Sequence, residues 1–167
     1  MPEMCDEQQY RDAEVAAAGM LSRRPLSAAM LEQKLLDKGF APEAADYAVQ
    51  RMRLLRAIDD EAYAEMLIRS YQNKGYGVLR IRQELYQRGV PKDTAAQQLR
   101  NMEPNWEKMH ALLEKKLRGD VSDRKQREKA MAALQRRGFT FSEIKIAMDN
   151  YRAELQQQQE EEEFYVD

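Results

Sequence analysis

One cysteine, one histidine and one tryptophan are spread over 167 residues, with only seven glycines and five prolines. The lone Cys5, in an N-terminal segment expected to fray, excludes an internal disulfide and fits a reducing compartment. The lone His110 has no companion with which to hold a metal, so a satisfied or partly exposed histidine is expected instead of a ligand. No apolar run approaches the roughly 20 residues of a membrane span, and no signal-peptide core opens the chain. A cytoplasmic protein is the expectation. Sustained alternation and Gly/Asn hairpin turns are missing as well, which excludes a sheet. The expected class is all-α.

What the chain does contain is a pattern used three times: Leu35-Leu36-Asp37-Lys38-Gly39-Phe40, Leu85-Tyr86-Gln87-Arg88-Gly89-Val90 and Leu134-Gln135-Arg136-Arg137-Gly138-Phe139. Leu31, Ile81 and Ala130 precede these glycines by eight residues. Ala45, Ala95 and Ile144 follow by six, and Val49, Leu99 and Met148 by ten. Offsets of four put each set on one stripe of a helix, with the glycine at a left-handed helix end. The cation before each glycine suits the negative pole of the helix it closes. Pro42 and Pro91 fit the start of the following helix, and Thr140-x-x-Glu143 fits a capping box. An earlier helix precedes each copy, through Tyr10, Ala13 and Ala17, through Tyr63, Leu67 and Tyr71, and through Trp106, Met109 and Leu113. These make three tandem three-helix repeats, over residues 6–53, 58–102 and 104–153. Modules this small share packing with their neighbours, and an array of them presents a long surface instead of a pocket. Most of the ten methionines are expected to fill gaps in small cores. Trp106 is expected to anchor one.

Net charge, −2, hides an asymmetry. From Glu154 onward there are six acids and no base, leaving 27 bases against 23 acids in residues 1–153, a body of +4. The Gln/Glu-rich segment 154–167 reads as a disordered, solubilising tail, because glutamates oppose the dipole at a helix C-terminus, in preference to an acidic decoy that covers a basic surface on the body.

The middle copy is the densest in information: Ile58-Asp59-Asp60, Tyr63-Ala64, Arg69, Lys74-Gly75-Tyr76-Gly77, Ile81, Glu84-Leu85 and Arg88-Gly89-Val90. Asp59 and Asp60 stand where a helix begins and are read as caps, not as a metal or acid/base pair. Lys74-Gly75-Tyr76-Gly77 lacks the Gly-x-x-x-x-Gly-Lys framework of a phosphate loop and reads as a turn with Lys74 and Tyr76 exposed. With looser flanking matches at Ser27-Ala28-Ala29-Met30-Leu31, Lys38-Gly39-Phe40 and Arg136-Arg137-Gly138-Phe139, these residues resemble the RecX family of bacterial RecA regulators.

The resemblance implies three three-helix repeats in an elongated curved rod and a non-enzymatic role without cofactor. It implies a monomer that binds RecA filaments on single-stranded DNA, lies in their groove and restrains ATPase and strand exchange, modulating recombination and the SOS response. Contact with single- or double-stranded DNA itself is at most weak on this reading, and no membrane is involved. Met30 stands where the family usually has a glutamate, removing the capping-box partner of Ser27. Ala57 replaces a usual glycine. For the contact, the residues favoured on the middle repeat are Lys74, Tyr76, Arg80 and Arg88, with Arg69 and Arg82 beside them. On the third repeat they are Arg124, Lys125, Arg127, Lys129, Arg136 and Arg137. Any one of these could equally be a solvated helix face. Two other classes fit the same pattern: a helix-turn-helix-like protein binding DNA directly, for which a +4 body is weak support, and a helical-repeat adaptor for another protein.

Overall fold

The computed structural model describes residues 6–166, all helical or in short turns, with no strand among the described residues. Cys5 lies outside them. The helices are α1 (Glu7–Arg23), α2 (Ala28–Asp37), α3 (Pro42–Leu54), α4 (Asp60–Asn73), α5 (Val78–Gln87), α6 (Lys92–Arg100), α7 (Trp106–Leu117), α8 (Arg124–Arg136) and α9 (Phe141–Tyr165). No described helix is long and apolar enough to cross a membrane.

The three glycines of the repeat close α2, α5 and α8 in one way. Each glycine amide donates to the carbonyl three residues back, and the next amide donates to the carbonyl of the leucine: Phe40 to Leu35, Val90 to Leu85, Phe139 to Leu134. That geometry needs positive φ, which is +98° at Gly39, +75° at Gly89 and +94° at Gly138. Pro42 opens α3, and Thr140 with Glu143 forms a reciprocal capping box at α9.

The chain gathers into two compact units. Among the described residues, one holds the chain from Asp6 to Leu67 together with Glu84–Arg100; the other holds Ile68–Gln83 and the chain from Asn101 to Val166. In the first, Ala13 and Ala17 of α1, Leu31 and Leu35 of α2, and Ala44, Ala48 and Met52 of α3 form a core of small residues that lets helices approach closely. Ser27 is completely buried there. Its hydroxyl caps α2 by accepting the Met30 amide at 3.1 Å, and donates to the Arg88 carbonyl at 2.6 Å. Asp60 adds a second long-range tie, accepting the Ala28 amide at 3.0 Å. Asp59 caps its own helix through the Ala62 amide, at 3.1 Å, whereas Asp60 completes the start of α2, where Met30 cannot close a capping box.

In the second unit, Met109, Leu113 and Leu117 of α7, Ala130 and Leu134 of α8, and Ile144 and Met148 of α9 make the core, with Trp106 half-buried at its edge. Met52, Met109 and Met148 are buried as gap-fillers, while Met66 faces solvent. His110 is held by Glu154, Nε2 to Oε2 at 2.6 Å. Tyr151 is completely buried; its hydroxyl donates to Glu114 at 2.7 Å and accepts the Gly119 amide at 2.9 Å. Burial first, then the bond to Glu114, hold its phenol above the ordinary value of 10.0. A folded-state pKa that is raised contributes stability below pH 10, and this is lost as pH climbs through the raised value. The chain is therefore expected to lose stability at alkaline pH above 10. Tyr151→Phe should lose about 1 kcal/mol near neutrality and show a flatter alkaline limb, as read by urea titrations at several pH values.

The tail departs from the expected disorder. Residues 154–165 continue α9 as helix. Glutamine and glutamate lose little rotamer freedom in a helix, and Gln156 donates to Glu160 one turn on, at 3.4 Å. No glycine or proline interrupts them.

Candidate functional site

The turn between α4 and α5 lies against the glycine turn between α8 and α9. Gly75, at φ +88°, closes α4: its amide donates to the Gln72 carbonyl, and the Tyr76 amide donates to the Tyr71 carbonyl. The Gly77 amide then donates to the Arg137 carbonyl at 2.8 Å, and Leu79 donates to Gly138 at 3.0 Å. Gly77 stands twelve residues before Gly89, as Ser27 stands twelve before Gly39. Both reach the carbonyl that precedes the next repeat's glycine, so one join is made twice. In the second join the backbones touch: a Cβ on Gly77 would lie 2.5 Å from the Phe139 nitrogen, and one on Gly138 would lie 2.5 Å from the Arg80 nitrogen.

That approach shapes a groove of about 240 Å³. Lys74 and Gly75 form one wall, Arg137 and Phe139 the other, and α7 supplies Lys108, Ala111, Leu112 and Lys115. Arg137 crosses the turn, its Nη1 donating to the Lys74 carbonyl at 3.4 Å and lying 3.2 Å from where a Gly75 Cβ would stand. Four cations thus line a groove whose apolar floor is Ala111 and Leu112, with Leu134 and Phe139 buried beneath them, and no carboxylate is among the lining residues. Low-dielectric walls concentrate the field of such a cluster, so the groove suits an acidic ligand that also carries an apolar group.

The residues singled out from the sequence are only partly brought together. Lys74 and Arg137 enter the groove; Lys108 and Lys115 were missed. Their spacing of seven along α7 is a readable signal, masked by Glu107 and Glu114 on other faces of the same helix. Tyr76, expected to stand free, is half-buried. Its ring lies 5.9 Å from that of Tyr71, with the Arg80 guanidinium 5.2 Å above it. Lys74 likewise lies 5.3 Å from the Tyr71 ring. Arg69, Arg80 and Arg82 are exposed, whereas Arg88, favoured for the contact, is half-buried. The α8 cations separate. Arg124 pairs with Glu128 at 3.0 Å, Arg127 turns inward to the Val121 carbonyl, and Lys125, Lys129 and Arg136 are exposed on one stripe. Among the described residues no group of acids, histidine or cysteine could hold a metal ion.

Three family models match in chain order: RecX, first three-helix domain, over residues 13–52; the second over 59–99; the third over 103–148. The chain belongs to the RecX family. Similar RecX proteins include the Regulatory protein RecX of Xanthomonas campestris pv. campestris (strain B100), 36% identical over 133 residues, which are 78% of this chain and 82% of that protein. The Regulatory protein RecX of Vibrio parahaemolyticus serotype O3:K6 is 34% identical over 135 residues, covering 80% and 87%. The crystal structure of RecX from Lactobacillus salivarius shares the fold, with TM-score 0.81 at 22% identity over 87% of this chain and 98% of that one. A second RecX crystal structure gives 0.73 at 25% identity, over 84% and 72%.

Proposed function

We propose that this RecX protein regulates the RecA recombinase without catalysis of its own, binding RecA filaments on single-stranded DNA and slowing their ATP hydrolysis and strand exchange. The observation that carries this reading is the tandem RecX match across all three repeats, 13–52, 59–99 and 103–148. The physical logic is multivalency. Similar modules on one chain can touch successive protomers of a polymer, and weak contacts add once the first is made. On this reading Lys74, Lys108, Lys115 and Arg137 take an acidic segment of the filament. Lys125, Lys129 and Arg136 on α8, with Arg69, Arg80 and Arg82 on the middle repeat, supply flanking contacts. Residues 6–53, 58–102 and 104–153 act as the three contact modules.

The test is the rate of single-stranded-DNA-dependent ATP hydrolysis by the cognate RecA. Substoichiometric to stoichiometric amounts of this protein should slow it. An unchanged rate at saturating protein removes the reading.

A further inference from the structure

The acidic end of α9 has the chemistry the groove asks for, yet α9 holds that end away from its own groove. From Gln156 to Val166 every residue is exposed. The stretch carries Glu160, Glu161, Glu162 and Glu163 and no base, and these are followed by Phe164 and Tyr165, 80% and 82% exposed. Gln157, Glu160, Glu161 and Phe164 lie on one side of it, as spacings of three and four require. That side presents two carboxylates and, one turn further, an aromatic ring. The groove presents four cations around an apolar floor.

The geometry of α7 keeps the two apart within one molecule. Glu154 on His110 and Tyr151 on Glu114 pin α9 to one side of that helix. Lys108, Ala111, Leu112 and Lys115 lie on the other, because residues 110 and 114 fall just over half a turn from 108 and 112. Beyond Leu155 the chain has no glycine or proline with which to turn back. It carries residues 156–166 outward by about 16 Å.

We propose that the groove accepts the acidic, aromatic-tipped end of α9 from a second copy of this chain. The carboxylates meet the lysines and Arg137, and the Phe164 ring covers Ala111 and Leu112. Donor and acceptor are different surfaces of one molecule, so two copies can exchange ends. The monomer expected from the sequence is then the state of dilute or salt-rich solution, since screening weakens a contact of this kind. The pairing needs no recombinase, so it stands or falls apart from the filament reading.

Sedimentation velocity over a concentration series decides the matter, using the full chain, a chain ending at Leu155, and Lys108→Glu with Lys115→Glu. At low salt the full chain should gain mass with concentration and revert to monomer in about 0.5 M salt. Each variant alone should stay monomeric. A mixture of the two should form heterodimers, because one keeps the groove and the other keeps the acidic end. A fluorescent peptide of residues 156–167 should bind the truncated chain, and the double variant about tenfold or more weakly. The peptide arm holds even if the double variant fails to fold. A full chain that stays monomeric with the peptide unbound, or an association that survives truncation, overturns the proposal. A groove that takes single-stranded DNA but not the peptide overturns it as well, and assigns that surface to nucleic acid.

Discussion

Gly138→Ala is expected to cost about 4 kcal/mol, and Gly77→Ala about 3 kcal/mol, while Gly39→Ala costs only about 1 kcal/mol. The three glycines separate two reasons for lacking a side chain. At Gly39 only the backbone asks for it: φ is +98°, and nothing lies within 4 Å of a built Cβ. At Gly77 only the neighbour asks for it: a Cβ would meet the Phe139 nitrogen and the Gly138 carbonyl at 2.5 and 2.6 Å, and no positive φ is involved. Backbone atoms cannot swing aside as a side chain can, so the clash must be relieved by parting the two turns. Parting them breaks the bonds from Gly77 to Arg137 and from Leu79 to Gly138. At Gly138 both demands coincide, with φ +94° and the Arg80 nitrogen 2.5 Å from the built Cβ. Urea unfolding followed by circular dichroism gives the order. Trp106, half-buried beside the core of the second unit, reports whether the loss is felt there. Equal losses for all three variants would mean that the second join contributes nothing and that only the glycine turns matter.

The same residues show how far the sequence can be read. Helix ends were legible because local chemistry makes them. A leucine four before a glycine, a proline at the first helical position and a Thr-x-x-Glu box each act within one turn of chain, and α2, α3, α5, α8 and α9 begin or end where these signals stand. The joins were not legible. Ser27 reads as a cap from sequence, but its second bond runs to Arg88, 61 positions away. Asp60 reads as a cap of its own helix and instead serves Ala28. Gly77 looks like one more turn glycine until the Phe139 backbone is seen beside it. The groove fell between these cases. Lys74 and Arg137 stood out because they flank glycines, whereas Lys108 and Lys115 depend on which side of α7 is covered by α9. The tail was misread through weighting the dipole above helix propensity. Repulsion among four glutamates is spread over a solvated surface, and nothing in residues 154–165 stops a helix that Tyr151 and Leu155 have already anchored.

Reversing charge at Lys108 and Lys115 is expected to weaken the slowing of RecA ATP hydrolysis by at least about tenfold in the protein concentration required. Both side chains flank the Ala111–Leu112 floor, so a bound carboxylate there is shielded from water on one side and feels more of each cation than it would on an open helix face. Changing lysine to glutamate both removes an attraction and adds a repulsion, so two such changes at about 1 kcal/mol each exceed a factor of ten. Lys125→Glu with Lys129→Glu makes the comparison. It carries the same change in charge on the exposed stripe of α8, where screening by salt is greater, and should move the required concentration by only about threefold. The side chains of Lys108 and Lys115 are exposed on α7, outside the core of the second unit, so the melting temperature should stay close to that of the parent. Truncation after Leu155 separates this effect from self-association, since it removes the competing acidic end while leaving all four groove cations in place. If both double variants lose inhibition equally, net charge is what the filament senses, and the groove has no special part in holding it.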